Sequence, residues 1–208
     1  MSEDFIKDVD GNTYEKIIIG EQTWIAKNLN TTRFRNGDLI PEARTSEEWK
    51  KAGTERKPVR CYYHNIPANG DQYGMLYNWY AINDPRGLCP EDWHVPVDGE
   101  WDALIEFLGG DFVAGGKMKS TGTIEDRNGY WYSPNTQATN ENGFSGMPGG
   151  LRENSGIFNG LGYYGNWWSS TESSDFSAWY RYVGHVTSDS FRRSKYKDIG
   201  LSVRCLKD

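Results

Sequence analysis

Helical periodicity in this chain stops near residue 110. Just before that point, four apolar residues between Trp101 and Leu108 are spaced i, i+3, i+4 and i+7, which places them on one face of a helix. Asp98 is a suitable N-terminal cap, and Gly109 begins a glycine pair that ends the pattern. We therefore predict a helix over 98–108 and no helix after residue 110.

The second half of the chain has the composition of loops around a small sheet. Glycine makes up 24 of the 208 residues and aromatic residues 14%, with nine tryptophans. Glycine is thus more frequent than the usual share of about 7%, which argues against a helical bundle, and disordered chains lack aromatic residues. Short segments rich in β-branched and aromatic residues predict strands at 167–170, 178–183 and 201–206. Glycine pairs at 115–116 and 149–150 predict tight turns.

The first half of the chain carries the remaining predicted elements. A hairpin is predicted from 13–19 and 22–28, with Gly20 and Glu21 in the turn. A short surface helix is predicted over 46–52, because it has acids in its first turn and bases in its last. A further helix is predicted over 75–83, where Asp84-Pro85 ends the apolar spacing.

Length, charge and cysteine spacing exclude several classes of protein. We expect one domain over 1–208, because 208 residues is near the size of a typical domain. The apolar runs are too short for membrane insertion, and a net charge of −6 argues against nucleic acid as a partner. The three cysteines lack zinc-site spacing, so we expect no metal and no cofactor. No signal peptide is visible, and no pattern sets an oligomeric state.

Catalytic motifs are missing from the sequence. His64, His94 and His185 lie in unrelated segments, and His94 is interpreted as a structural histidine. Neither G-x-S-x-G nor H-E-x-x-H occurs, and the spacing of the carboxylates does not mark a glycosidase pair. We therefore predict that the protein is not an enzyme.

Seven ordered motifs resemble the Fibrobacter succinogenes major paralogous domain family over nearly the whole chain. They are DVDGNTY, GEQTWIAKNL, YGMLYNWYAINDPRGLCPEDWHVPVDGEW, NENGFSGMPGG, NWWSST, AWYRYV and GLSVRC. The resemblance implies an α+β, C-type-lectin-like fold, in which two helices flank a small twisted antiparallel sheet with a long loop-rich excursion. It also implies a disulfide between Cys89 and Cys205; the alternative is two buried thiols in a reducing compartment. Cys61 would then remain as an unpaired apolar thiol.

The related formylglycine-generating enzymes provide an enzymatic alternative, and a purely architectural surface domain is a third. Those enzymes work through two cysteines in the C-terminal half, whereas this chain has only Cys205 there. The calcium-dependent sugar site of true C-type lectins is not matched by the stretch from Asn166 to Thr171, which has no carboxylate. A non-enzymatic module that binds a protein or glycan is therefore favoured, secreted or displayed on a cell surface or phage.

Strand alternation locates the predicted binding face. One side of 178–183 carries Trp179, Arg181 and Val183, which match fixed family positions and are expected to support the scaffold. Tyr180 and Tyr182 are then predicted to point outward. Tyrosine and arginine are the residue types that dominate interface energetics. The predicted ligand-binding residues are Tyr163, Tyr164, Asp175, Tyr180, Tyr182, His185, Phe191, Arg192, Arg193 and Tyr196.

Overall fold

The computed structural model describes residues 5–208. The helices in this range are α1 (Ser46–Thr54), α2 (Ala68–Tyr73), α3 (Trp79–Ile82), α4 (Asp98–Phe107) and α5 (Asp111–Met118). The strands are β1 (Phe5–Lys7), β2 (Thr13–Ile19), β3 (Gln22–Ile25), β4 (Arg60–Cys61), β5 (Leu76–Tyr77), β6 (Trp93–His94), β7 (Gly149–Arg152), β8 (Phe158–Leu161), β9 (Tyr164–Glu172), β10 (Ser177–Gly184), β11 (Ser190–Tyr196) and β12 (Leu206–Lys207). Among the described residues, no helix is long and apolar enough to cross a bilayer.

The strands form antiparallel sheets, which together with the helices confirm the α+β prediction. One sheet has the order β1-β2-β3-β12-β6, a second has the order β11-β10-β9, and β4-β5 and β7-β8 are two-stranded ribbons. The strands predicted at 167–170 and 178–183 lie inside β9 and β10. Of the strand predicted at 201–206, only its end enters β12, while Leu201 and Ser202 make isolated bridges to Tyr77 and Trp167.

The N-terminal hairpin and the first helix form where the sequence predicts them, except that the second arm of the hairpin ends at Ile25 and not at residue 28. β2 and β3 pair through Ile17 and Trp24, and Gly20 in the turn has a φ of +62°, which glycine adopts without strain. Helix α1 begins with a capping box, in which the Thr45 hydroxyl accepts from the Glu48 backbone N–H. Glu47, Glu48, Lys50 and Lys51 are exposed, as expected of a surface helix. Its inner face carries Trp49, which is buried and whose indole N–H donates to the Asp198 carbonyl at 2.9 Å.

The segment 75–83 is a strand followed by a helix, and the prediction of one helix there is only half right. Leu76 and Tyr77 pair with β4, and Asn78 then has an extended backbone. The Asn78 side chain accepts from the Ala81 N–H at 3.1 Å, so it caps α3. The same oxygen accepts from the Val59 N–H at 3.0 Å. Pairing with β4 therefore replaces the first helical turn.

Helix α5 contradicts the prediction that no helix follows residue 110. It contains Gly115 and Gly116, the pair predicted to form a tight turn. A Cβ at Gly115 would collide with the carbonyl oxygen of Asp189, so this helix needs a glycine to lie against the chain entering β11. The second glycine pair lies in strand β7, where Gly150 has a φ of +63°. The two glycine pairs therefore lie within a helix and a strand and do not form the predicted tight turns. Gly115 permits a close contact, and Gly150 permits a positive φ.

Helix α4 anchors an aromatic core between the sheets. Its Trp101 lies 4.9 Å from Trp24 of β3 and 6.3 Å from Trp167 of β9, measured between ring centroids. Phe144 closes the group, 5.4 Å from Trp167. All four side chains are fully buried. The helix predicted over 98–108 is thus confirmed, and it braces the back of the sheet formed by β9, β10 and β11.

Cys89 and Cys205 form the disulfide that the family resemblance implies. Their Cα atoms are 6.0 Å apart, and the bridge joins positions 116 residues apart in sequence. Both residues are buried in the main hydrophobic core. Cys61 is a free, buried thiol, and burial raises its pKa to about 12. Its prediction as an apolar, unpaired thiol is confirmed.

His94 links β6 to helix α4 and to the end of the given sequence. Its Nδ1 lies 2.6 Å from a carboxylate oxygen of Asp208, and its Nε2 lies 3.0 Å from Glu100. Both ring nitrogens can donate only when the imidazole is protonated. Burial opposes this charge, but the hydrogen bonds and charges of the two acids outweigh it and raise the pKa of His94. Both ring nitrogens of His94 are thus hydrogen-bonded, as expected of a structural histidine.

We expect this His94 clamp to stabilise the fold in mild acid and to weaken as the pH rises. Because the folded pKa lies above the unfolded value of about 6.5, the contribution is complete below that value and is lost as the pH passes the folded pKa. All three side chains are partly exposed, so the effect should stay below about 1 kcal/mol. Urea unfolding near pH 6 and near pH 8.5 should show a larger loss in the wild type than in His94→Gln. Equal losses would contradict the clamp.

Candidate ligand-binding face

One side of β10 faces helix α4 and belongs to the scaffold, as predicted. Arg181 is buried and donates to Asp98 at 3.1 Å and to Asp102, both on α4. Val183, two residues further along, packs in the same aromatic core as Trp101. Trp179 is only half-buried. This side of the strand is therefore occupied by intramolecular contacts.

Tyr180, on the other side of β10, is not available to a ligand. Only 6% of it is exposed, so the prediction that it points outward is wrong. It packs in the main core with Trp168 and Ala178, and its ring lies edge-on to Trp168 at 6.4 Å. Burial raises the pKa of its hydroxyl to about 12. At Tyr180 the second side of the strand is therefore part of the main core.

Tyr182 is half-buried and connects that core to the surface. Its ring stacks on Tyr180 at 5.8 Å on one side and on Phe191 at 4.6 Å on the other. Phe191 lies directly opposite Tyr182 in the β10–β11 register. Such stacked cross-strand pairs stiffen a sheet surface. Tyr182 is thus held firmly while part of its ring remains accessible.

Five rings form a continuous row, which we call the aromatic band. The centroid distances along it are 4.4 Å from Tyr132 to Tyr163, 6.5 Å from Tyr163 to Tyr164, 6.2 Å from Tyr164 to Tyr182 and 4.6 Å from Tyr182 to Phe191. Tyr163 and Tyr164 are the most open members, 42% and 43% exposed. Tyr132 is not among the residues predicted from the sequence, where its only signal is its place beside Trp131 in a loop.

The band presents apolar area together with polar tips. The tyrosine hydroxyls that bond within the described residues belong to Tyr14, Tyr63 and Tyr77 and not to the band. The hydroxyls of the band can therefore donate to or accept from a ligand. Tyrosine loses little side-chain entropy on contact because it has only two rotatable bonds. Such side chains combine apolar contact area with hydrogen-bonding tips.

Lys119 holds the two loops that flank the band. Its buried ammonium donates to the carbonyls of Thr136, Gly184 and Thr187 at 2.9, 3.0 and 2.8 Å. Burial without a carboxylate partner lowers its pKa to about 8. His185 lies between the last two carbonyls, with its ring 5.0 Å from Tyr163, and burial lowers its pKa. The predicted residue His185 is therefore placed beside the band by a fixed loop.

The remaining predicted site residues are divided between different surfaces. Arg192 lies on the α4 side of the sheet, where it donates to Asp98 at 2.7 Å and covers the Trp179 ring at 3.4 Å. Tyr196 is exposed at the opposite end of β11, and Asp175 is exposed in the turn between β9 and β10. Only Arg193 joins the band, with its guanidinium carbon 5.7 Å from the centre of the Phe191 ring. The predicted residues therefore do not form a single patch, because Arg192, Tyr196 and Asp175 lie away from the band.

Within residues 5–208, no three His, Cys, Asp or Glu side chains converge as a metal site requires. The family model described as Fibrobacter succinogenes major domain matches residues 17–207. No curated protein and no solved structure matches the chain.

Proposed function

We propose that this chain, which belongs to the Fibrobacter succinogenes major domain family, is a non-enzymatic module that binds a protein or glycan through the aromatic band. The observation that carries the proposal is the row of five contacting rings, whose members Tyr163 and Tyr164 are more than two-fifths exposed. Exposed, clustered aromatic side chains on a stiff support are typical of binding surfaces.

The support beneath the band favours binding over a solely architectural role. Tyr182 is stacked from both sides, and Lys119 fixes the adjoining loops. A surface that is ordered before the ligand arrives loses less entropy on binding. An architectural domain has no need to keep large aromatic side chains open to water.

The state of the cysteines argues against the enzymatic alternative. Thiol chemistry of the formylglycine-generating kind requires reactive cysteines, but Cys89 and Cys205 are joined to each other. The Cys61 thiol is buried and its pKa is about 12, so it is protonated at neutral pH. We expect no thiol-dependent oxygen consumption by the purified protein; measurable turnover would favour the enzyme.

The finer fold assignment and the location belong to the same proposal. A C-type-lectin-like fold is supported by α4 packed behind β9 and β10, and by the long stretch of loops over 119–148. The disulfide favours an oxidising environment. We therefore propose that the domain is secreted, or displayed on a cell surface or phage.

A double variant tests the band without entering the core. Tyr163→Ser with Tyr164→Ser should lower retention on a glycan array or on a panel of whole bacterial cells by at least about tenfold, since tyrosines are frequent hot spots. The melting temperature should change by no more than about 3 °C, because both side chains are open to solvent.

The same sheet offers a matched control. Phe176 is 64% exposed just before β10, at the opposite end of this strand from the band, and changing it to Ser should leave retention unaltered. Equal losses in the tyrosine double variant and in Phe176→Ser would reject the band as the site. A wild-type protein that binds neither probe would favour the architectural alternative.

A further inference from the structure

Strand β11 is an edge strand whose outer side has no strand partner among residues 5–208. In the sheet order β11-β10-β9 it pairs only with β10. The carbonyl of Arg192 instead accepts from the Arg193 guanidinium at 2.9 Å, which marks Arg192 as a residue whose backbone faces outward. Because backbone groups alternate along a strand, Ser194 also presents its N–H and C=O outward. Such an edge can pair with another extended chain.

A cleft borders the second half of this edge. Its volume is about 470 Å³, and it is lined by Ser194, Lys195 and Tyr196 of β11 and by Glu153, Asn154 and Ile199. A neighbouring strand lies roughly 4.8 Å from its partner. The open edge and the cleft together provide room for a short extended segment, and the start of β11 is already covered by α5, as the position of Gly115 shows.

The charges on β11 indicate which kind of peptide segment this edge can bind. Three of the bases at 192–197 are already paired: Arg192 with Asp98, Lys195 with Glu153 and Lys197 with Glu172. Arg193 is exposed, and within the described residues its guanidinium bonds to the Arg192 carbonyl and to no carboxylate. Arginine binds carboxylates with two parallel hydrogen bonds. The edge therefore offers one uncompensated cation beside free backbone groups.

We propose that β11 accepts an extended, acidic peptide segment as an additional strand. A backbone N–H of that segment takes over the Arg192 carbonyl, and the released Arg193 guanidinium pairs with a carboxylate of the segment. A second copy of this chain is disfavoured as the occupant, because its β11 would bring another uncompensated Arg193 to this edge and no free carboxylate. The inference rests on the proposed binding function and names the partner class as a peptide.

Three synthetic peptides test the inference on the full chain. The first is an acetylated octapeptide of alternating Glu and Val, the second carries N-methyl groups on alternate amides, and the third has Lys in place of Glu. Fluorescence anisotropy should show binding of the first and a loss of at least about tenfold for the other two, because one lacks backbone donors and one lacks the carboxylates.

Variants in β11 separate charge pairing from backbone pairing. Arg193→Glu should reverse the preference, so that the Lys peptide binds better than the Glu peptide. Ser194→Pro removes an outward N–H without removing a bond to β10 and should reduce binding at least about tenfold, whereas the control Ser194→Ala should bind as the wild type does. Backbone amide signals of Arg192 and Ser194 should shift in NMR spectra when the Glu peptide is added.

The two proposals fail in different ways. If the Glu peptide does not bind, or binds equally well with N-methyl groups or to Arg193→Glu, the additional strand is rejected. Self-association through β11 without peptide, detected by sedimentation, would reject it as well. In each case a loss of cell or glycan retention in the Tyr163 and Tyr164 double variant would still support binding by the band.

Discussion

Replacing Arg204 with Met should cost about 3 to 5 kcal/mol of the free energy of unfolding. The Arg204 guanidinium is fully buried, and it donates to the carbonyls of Ile25, Phe144 and Ser145 at 3.0, 2.8 and 3.2 Å. It also donates to the Asn28 side chain at 2.8 Å and lies 4.3 Å from the Phe144 ring. Met has a similar length but no donor, so it leaves three backbone acceptors without this partner.

The expected loss depends on the partners being backbone groups. Burial lowers the pKa of Arg204, so the charge itself is costly in this position. When both members of a buried ion pair become apolar, that cost is recovered. The backbone carbonyls around Arg204 cannot be replaced by apolar groups. The cost of leaving them without this hydrogen-bond donor therefore exceeds the gain from removing the buried charge.

Urea unfolding followed by tryptophan fluorescence measures this effect, and the melting temperature should fall by roughly 10 °C. The matched control is Arg44→Ala: Arg44 is exposed and, among residues 5–208, its side chain pairs only with Glu42, so its loss should stay below about 1 kcal/mol. A loss below about 1 kcal/mol for Arg204→Met would mean that the three carbonyls find other partners.

Removing the disulfide should destabilise the protein by about 2 to 5 kcal/mol. The bridge closes a long loop, with its cysteines 116 residues apart, and so restricts the unfolded chain strongly. The double variant Cys89→Ala with Cys205→Ala should unfold at correspondingly lower urea concentration. Reductant should lower the stability of the wild type and leave that of the double variant unchanged.

Thiol labelling provides an independent readout of the bridge. In the unfolded, unreduced wild type, one thiol should react with an alkylating reagent, because Cys61 is free, and reduction should raise the number to three. The control Cys61→Ala should show no labelled thiol before reduction. Three reactive thiols without reductant would contradict the bridge.

Elements with local signals could be predicted from the sequence. Helix α4 has apolar side chains on one face and stop residues at its end, so its period alone identifies it. The β2–β3 hairpin has β-branched arms around a glycine turn. Helix α5 is not predicted from the sequence, because a glycine pair by itself favours a turn. Glycine is present at 115 because the helix packs closely against Asp189, 74 positions later in the chain.

The candidate site could be predicted only in part. Alternation along β10 correctly separates the side of Arg181 from the side of Tyr182. Alternation does not predict that Tyr180 is buried, because the core in which Tyr180 packs is formed by residues from distant segments, such as Leu201. Likewise, the basic run after residue 190 is visible in the sequence, but its neutralisation by Asp98, Glu153 and Glu172 is not.

Periodicity, turn residues and family motifs were sufficient for the α+β class, the Cys89–Cys205 pairing and the strand that carries Tyr182. These properties depend on neighbouring residues or on recognisable motifs. The contacts of Tyr132 with Tyr163, the burial of Tyr180 and the unpaired charge of Arg193 required the folded chain. Each depends on which distant segments pack together, and a linear pattern of side chains does not encode that directly.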